Sequence, residues 1–182
     1  MHVMLDIMGS TIIAGVILLL IFKLNIYSFH SRYASDSELE LQQNAKTLAE
    51  ILSYDLRKIG YEYDGDAIVQ ADSTTFSYYS DINDDGTPNL ITYYAGDSSE
   101  VPQTSNPKDI ILYRVVDSDT GGGPSLGLVK VKFSYLDKSG YETADISLIE
   151  YVRAELFLES REKIQDEYKF TYWEMTINPR NL

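Results

Sequence analysis

The stretch SRYASDSELELQQNAKTLAEILSYDLRKIG (31–60) decides the fold. Leu41, Ala45, Leu48, Leu52, Leu56 and Ile59 recur at steps of four and three, so they line one side of an α-helix. Ala49 and Ile51 widen the stripe, and the positions between are largely charged or polar. A helix with one apolar side must lay that side on another element. Gly60 follows Arg57 and Lys58, a sequence that suits a capped helix C-terminus with cations at its negative end.

Working outward towards the N-terminus, IMGSTIIAGVILLLIF (7–22) carries no charged side chain. The first proline is Pro88, so no ring interrupts the run. The expected element is a single helix from about residue 4 to 59, apolar all round in its first half and one-sided in its second. An interruption would fall in the polar, serine-containing stretch from His30 to Ser37.

Ile7–Phe22 alone is shorter than the roughly 20 residues that cross a bilayer. Extended by Val3, Met4 and Leu5, and onward to Tyr27, it is long enough. Asp6 then lies near one interface and Lys23 near the other. Lys23 reaches the headgroups along its own stem, and Asp6 is too short to do so. Three readings compete. The first is a secretory signal peptide, against which stand the lack of a basic start and of a clear small-residue cleavage site after the apolar core. Two others follow. In one, the segment is a plain anchor with Asp6 at the interface. In the other, it packs in an assembly where Asp6 meets a partner charge, because an ionised group at membrane depth is costly unless it has a partner or a function.

Composition narrows the rest. The chain has 182 residues and a formal net charge of -13, from Asp+Glu 28 against Lys+Arg 15. That excess disfavours a nucleic-acid partner, which would need a basic face. There is no cysteine, which removes disulfides, zinc–thiolate sites and thiol catalysis.

Beyond Ala67 the pattern turns to period two. Strands are expected over 74–80, 89–95, 109–116, 128–135, 149–160 and 168–177. In LVKVKFSY (128–135), Val129, Val131, Phe133 and Tyr135 alternate with Lys130, Lys132 and Ser134, as in a half-buried antiparallel strand. SSEVPQTSNPKD (98–109) and DSDTGGGPSLG (117–127) read as loops. The expected fold class is α+β, with a long N-terminal helix packed on an antiparallel sheet. Three regions follow: an apolar helix half (1–27), an amphipathic helix half (28–60) and a β-sheet globular domain (61–182).

This order of features resembles the type IV pilin and pseudopilin family, in particular its larger minor members. His2-Val3-Met4-Leu5-Asp6-Ile7-Met8 runs in step with the family's N-terminal signature, and Asp6 falls where the family has a glutamate. LSYDLRKIGY (52–61) is similar to the end of the family helix. SDINDDGTPNLITYY (80–94), ILYR (111–114) and INPRNL (177–182) are similar to the same subgroup. Met1 stands where the family's cleaved glycine would be, and His2 replaces its aromatic residue. A mature form and an unprocessed subunit both fit that start.

The resemblance implies a structural subunit, not an enzyme. Its partners would be other pilin-like subunits met through the N-terminal helix, and the membrane. It would reside in an inner membrane with an extracytoplasmic domain, or in a surface or periplasmic filament. Lys23 and Arg32 after the span weakly favour the opposite orientation. Asp6 would pair with the N-terminal amine of a neighbouring subunit and so fix axial register. The alternative function is a single-span, membrane-anchored binding domain that does not polymerise.

One further motif bears on a cofactor. Asp81, Asn83, Asp85 and Gly86 have D-x-N-x-D-G spacing, and Thr87 and Asn89 add oxygens. Such alternation around a tight turn suits Ca²⁺. The same residues suit a metal-free hairpin turn. The position of the usual bidentate glutamate is Thr92, so the loop is not an EF-hand. Catalysis has little support, since His2 and His30 are the only histidines and both precede the sheet region. Glu155, Glu159 and Glu162 read as a solvated face, and Trp173 with the tyrosine pairs 78/79 and 93/94 as packing.

Overall fold

The structure is a computed structural model that describes residues 2–182, with side chains from Val3 onward. It divides into two compact units, Met1–Ser37 and Glu38–Leu182. One helix, α1 (His2–Leu56), spans 55 residues without the interruption that His30–Ser37 would have hosted. Its last turns tighten beyond Leu56: Lys58 N–H donates to the Asp55 carbonyl at 2.9 Å. Gly60 then reverses the chain at φ +74, and a Cβ there would lie 2.5 Å from the Asn181 carbonyl oxygen. Glycine is the residue that meets both demands.

Eight strands follow: β1 (Ile68–Ala71), β2 (Thr75–Ser80), β3 (Asn89–Ala95), β4 (Leu112–Val116), β5 (Asp119–Gly122), β6 (Leu128–Leu136), β7 (Tyr151–Glu159) and β8 (Phe170–Ile177). They form two antiparallel sheets, ordered β1-β2-β3-β4-β5 and β6-β7-β8. The expected α+β class, with a long helix packed on antiparallel sheet, is what the chain adopts.

In the second unit, the stripe of α1 is the seam of one core. Leu41, Ala45, Leu48, Ala49, Leu52 and Leu56 are buried with Phe76, Tyr78, Ile91 and Tyr93 of one sheet. Val131, Phe133, Val152, Ala154, Leu156 and Leu158 of the other sheet join the same cluster. Each such aliphatic side chain stabilises the fold by about 1.5–3 kcal/mol relative to exposure.

Three expectations change. Ile51 is 49% exposed, because the stripe is narrower than the sequence implied. Val129 is only half-buried, because the register shifts between Leu128 and Lys130 and the extra residue turns it aside. The stretch read as a glycine-rich loop contains β5, which pairs with β4 from Val116↔Asp119 to Tyr113↔Gly122. Backbone pairing alone holds β5, so no side-chain alternation announced it.

Candidate functional site

The first candidate is the apolar half of α1. Among its large side chains, Leu19 is 66% and Phe22 62% exposed. It is long and apolar enough to cross a membrane, and therefore compatible with a membrane anchor. Three of its polar side chains bond within the helix. Ser10 Oγ donates to the Ile7 carbonyl, Thr11 Oγ1 to that of Met8 and Asn25 Nδ2 to that of Ile21. A Cβ at Gly9 or Gly15 would meet nothing within 4 Å. Asp6 is exposed on this helix and makes no hydrogen bond or ion pair with another described residue. The half therefore presents exposed apolar side chains, two glycines and one carboxylate.

The second candidate is the Asp81–Asn89 loop, and hydrogen bonds place its residues. Asp81 is fully buried, and its two oxygens accept from the backbone N–H groups of Asp85 (3.3 Å) and Gly86 (2.7 Å). Asp85 accepts from Asn83 Nδ2 and from Thr87 N–H, both at 2.8 Å. Asp81, Asn83, Asp85 and Thr87 are thus brought together. Asn89 is not: its Nδ2 donates to Asp117 Oδ2 at 2.9 Å. Asp117 also accepts from Leu90 N–H, and these two donors hold its carboxyl below the usual carboxylate range. The backbone of Asp84 (φ 58) and Gly86 (φ 80) makes the bend. Among the described residues, no group of three or more His, Cys, Asp or Glu is placed to hold a metal ion.

The third candidate was not singled out in the sequence. Asp55 lies on the buried side of α1, as its penultimate residue. Tyr93 Oη donates to Asp55 Oδ2 at 2.6 Å, and Arg114 Nε donates to the same oxygen. Tyr93 and Arg114 are direct cross-strand partners on β3 and β4, so register delivers both donors to one point. Burial pushes the Tyr93 phenol well above its ordinary range, and the Asp55 charge adds to the effect. For Arg114 burial works against the charged form, but Asp55 outweighs it and the net shift is upward. Arg114 also lines a cavity of about 520 Å³ with Leu48, Ile51, Leu52, Leu112 and Val116. The signal for this network was an acid one step off the apolar stripe, in a helix whose neighbours in space the sequence does not give.

The carboxylates of the outer sheet face are each engaged. Glu155 accepts from Tyr172 Oη at 2.8 Å and pairs with Lys132 at 3.2 Å. Glu159 binds Lys108 at 2.7 Å and Asn106 at 3.1 Å. Trp173 is 37% exposed on β8 opposite Leu156. Tyr79 stacks on Tyr63 and Tyr94 on Tyr113, while Tyr78 and Tyr93 are core.

No protein-family model matches the chain, no curated protein matches it, and no solved structure matches its fold.

Proposed function

We propose that the chain is a structural subunit of an envelope filament of the type IV pilus or type II secretion pseudopilus kind. It assembles through the apolar half of α1. The observation that carries this reading is the continuity of α1. The same 55-residue helix is core in its second half and lacks a core in its first. An apolar helix with no partner in its own chain is accommodated by lipid or by like helices. Asp6 favours the second, because a carboxylate in a helical core is tolerated when paired with an ammonium group. Register follows, since a subunit displaced along the axis leaves that charge unpaired.

The test is electron microscopy of filaments from cells carrying Asp6→Ala and Asp6→Glu. The reading predicts that Ala abolishes filaments and Glu retains them. Normal filaments with Asp6→Ala would remove the register role.

A second reading is a single-span anchored extracytoplasmic binding domain that does not polymerise. The cavity beside Arg114 favours it, since it is mostly apolar, of ligand size and bordered by one cation, Arg114, and one carboxylate, Asp119. Subunits that remain dispersed in the membrane under conditions that build the filament would select it.

A Ca²⁺ ion in the Asp81–Asn89 loop would require the oxygens of Asp81 and Asp85 to exchange their amide donors for the ion. Calorimetry with Ca²⁺ decides the matter. Heat that is lost in Asp85→Ala marks a site, and no heat at millimolar Ca²⁺ leaves a hydrogen-bonded turn.

A further inference from the structure

We propose that the free edge of β8 is a strand-addition site for β5 of a second copy, so that globular units join head to tail. The proposal rests on the filament reading and gives it a second contact, outside the apolar helix.

Two sheets have four end strands, β1, β5, β6 and β8. The edge of β6 is hydrogen-bonded by neighbouring backbone, and β1 lies against β6 and the turn at Ile146–Leu148. Phe133 N–H on β6 donates to the Ser73 carbonyl at 2.8 Å, and Tyr135 Oη donates to the Asp72 carbonyl at 2.8 Å. The Leu128 carbonyl accepts from Ile110 N–H at 2.8 Å, and the Tyr135 carbonyl from Thr143 N–H at 2.9 Å. Among the described residues, β5 and β8 remain the open edges.

Within its own length β8 carries few of the usual protections of an open edge. It runs eight residues, FTYWEMTI, with one charge, no proline and no register shift against β7. A groove of about 880 Å³ lies along it. Five consecutive β8 residues, Trp173 to Ile177, form one wall, and α1 with the turn after it, from Lys46 to Lys58, forms the other; Ser53 Oγ donates to Met175 Sδ between them at 3.2 Å. Residues of both sheet faces line it and no β7 residue does, so the groove follows the strand's edge.

Charge selects the occupant. Lys46, Arg57 and Lys58 face this groove, and Arg180 borders its continuation beyond Ile177. Against them stand Glu50 and Glu174, which already pair with Lys46 and Arg153. Arg57 and Arg180 are exposed and reach no carboxylate among the described residues. In a chain of net charge -13, this is a cationic edge. β5 is its complement. Asp117 and Asp119 stand at its start, no Lys or Arg occurs between Arg114 and Lys130, and Gly121 and Gly122 present no side chain to obstruct pairing. Two different edges that complement each other make a heterologous contact, which propagates rather than closing on itself.

The chain has no cysteine, so introduced thiols report one contact. Full-length Thr120→Cys and full-length Thr176→Cys would be co-expressed and mildly oxidised in filament and membrane fractions. Glu174→Cys would replace Thr176→Cys in a parallel sample to sample the register. Residues directly opposite in an antiparallel pair lie about 4.5–5.5 Å apart at Cα, within disulfide reach. Thr120→Cys with Val69→Cys, on the β1 edge, is the control.

The expected result is a heterodisulfide for Thr120 with Thr176 or Glu174, and none for the control. Arg57→Glu with Arg180→Glu should lose the band, and Asp119→Lys in the other copy should restore it. Filaments that form while neither pair cross-links would overturn the edge contact and leave the helix-mediated filament standing. Cross-links in membranes without filaments would support the contact and remove the filament reading. No cross-link in either fraction overturns the contact.

Discussion

The two halves of α1 share one backbone and differ in where their apolar side chains go. From Leu41 to Leu56 the stripe is buried against two sheets. From Val3 to Phe29 the large apolar side chains are exposed. Each half also carries an acid in an instructive place. Asp55 is buried and bound by Tyr93 and Arg114, while Asp6 is exposed and has no partner among the described residues. The second half is finished by the chain's own fold. The first half needs something the chain does not supply.

Substitutions sharpen that contrast by acting on folding in one half and on assembly in the other. The largest stability effect is expected at Arg114→Met, which leaves the buried Asp55 carboxylate without its cation. Loss of one partner of a fully buried pair costs about 3–5 kcal/mol; with the Arg114 side chain 32% exposed and Tyr93 still donating, the loss is expected at the lower end of that range, measurable by denaturant unfolding of the detergent-solubilised chain. Leu52→Ala removes a fully buried side chain from the stripe and should cost about 2–5 kcal/mol. Leu19→Ala, in the apolar half, should leave the same unfolding transition where it was. Equal losses from the two leucine variants would break the comparison.

Gly60→Ala forces a side chain into a left-handed backbone and against the Asn181 carbonyl, with an expected cost of about 1–3 kcal/mol. The smallest effect is pH-dependent. The Asp117 carboxyl is held below its ordinary range by Leu90 N–H and the Asn89 amide. Its contribution is therefore present above the unfolded value of about 3.9 and is lost as pH falls through the lower folded value. Asp117→Asn should flatten the acid limb of the stability curve and leave neutral pH nearly unchanged.

The helix was the most legible part of the sequence, because its stripe repeats through Leu41, Leu48, Leu52 and Leu56 without proline. The long strands were legible for a similar reason: alternation in 149–160 mirrors burial along β7, while on β6 it holds only from Val131 to Phe133, after the register shift. β5 was not, since Asp-Thr-Gly-Gly has no apolar alternation and depends on β4 for its pairing. Asp81, Asn83 and Asp85 were legible as a turn, and the structure closes that turn through amide donors. The Asp55–Tyr93–Arg114 network joins residues 38 and 59 positions apart, a separation that only sheet register resolves.

The central claim concerns what the exposed half of α1 meets. The most direct measurement is electron microscopy of sheared-surface and detergent-extracted fractions, with this chain identified in them by mass spectrometry. The account predicts filaments containing the chain, with its N-terminal helix retained, and their loss in Asp6→Ala. Recovery of the chain only as dispersed membrane-bound monomers would contradict it.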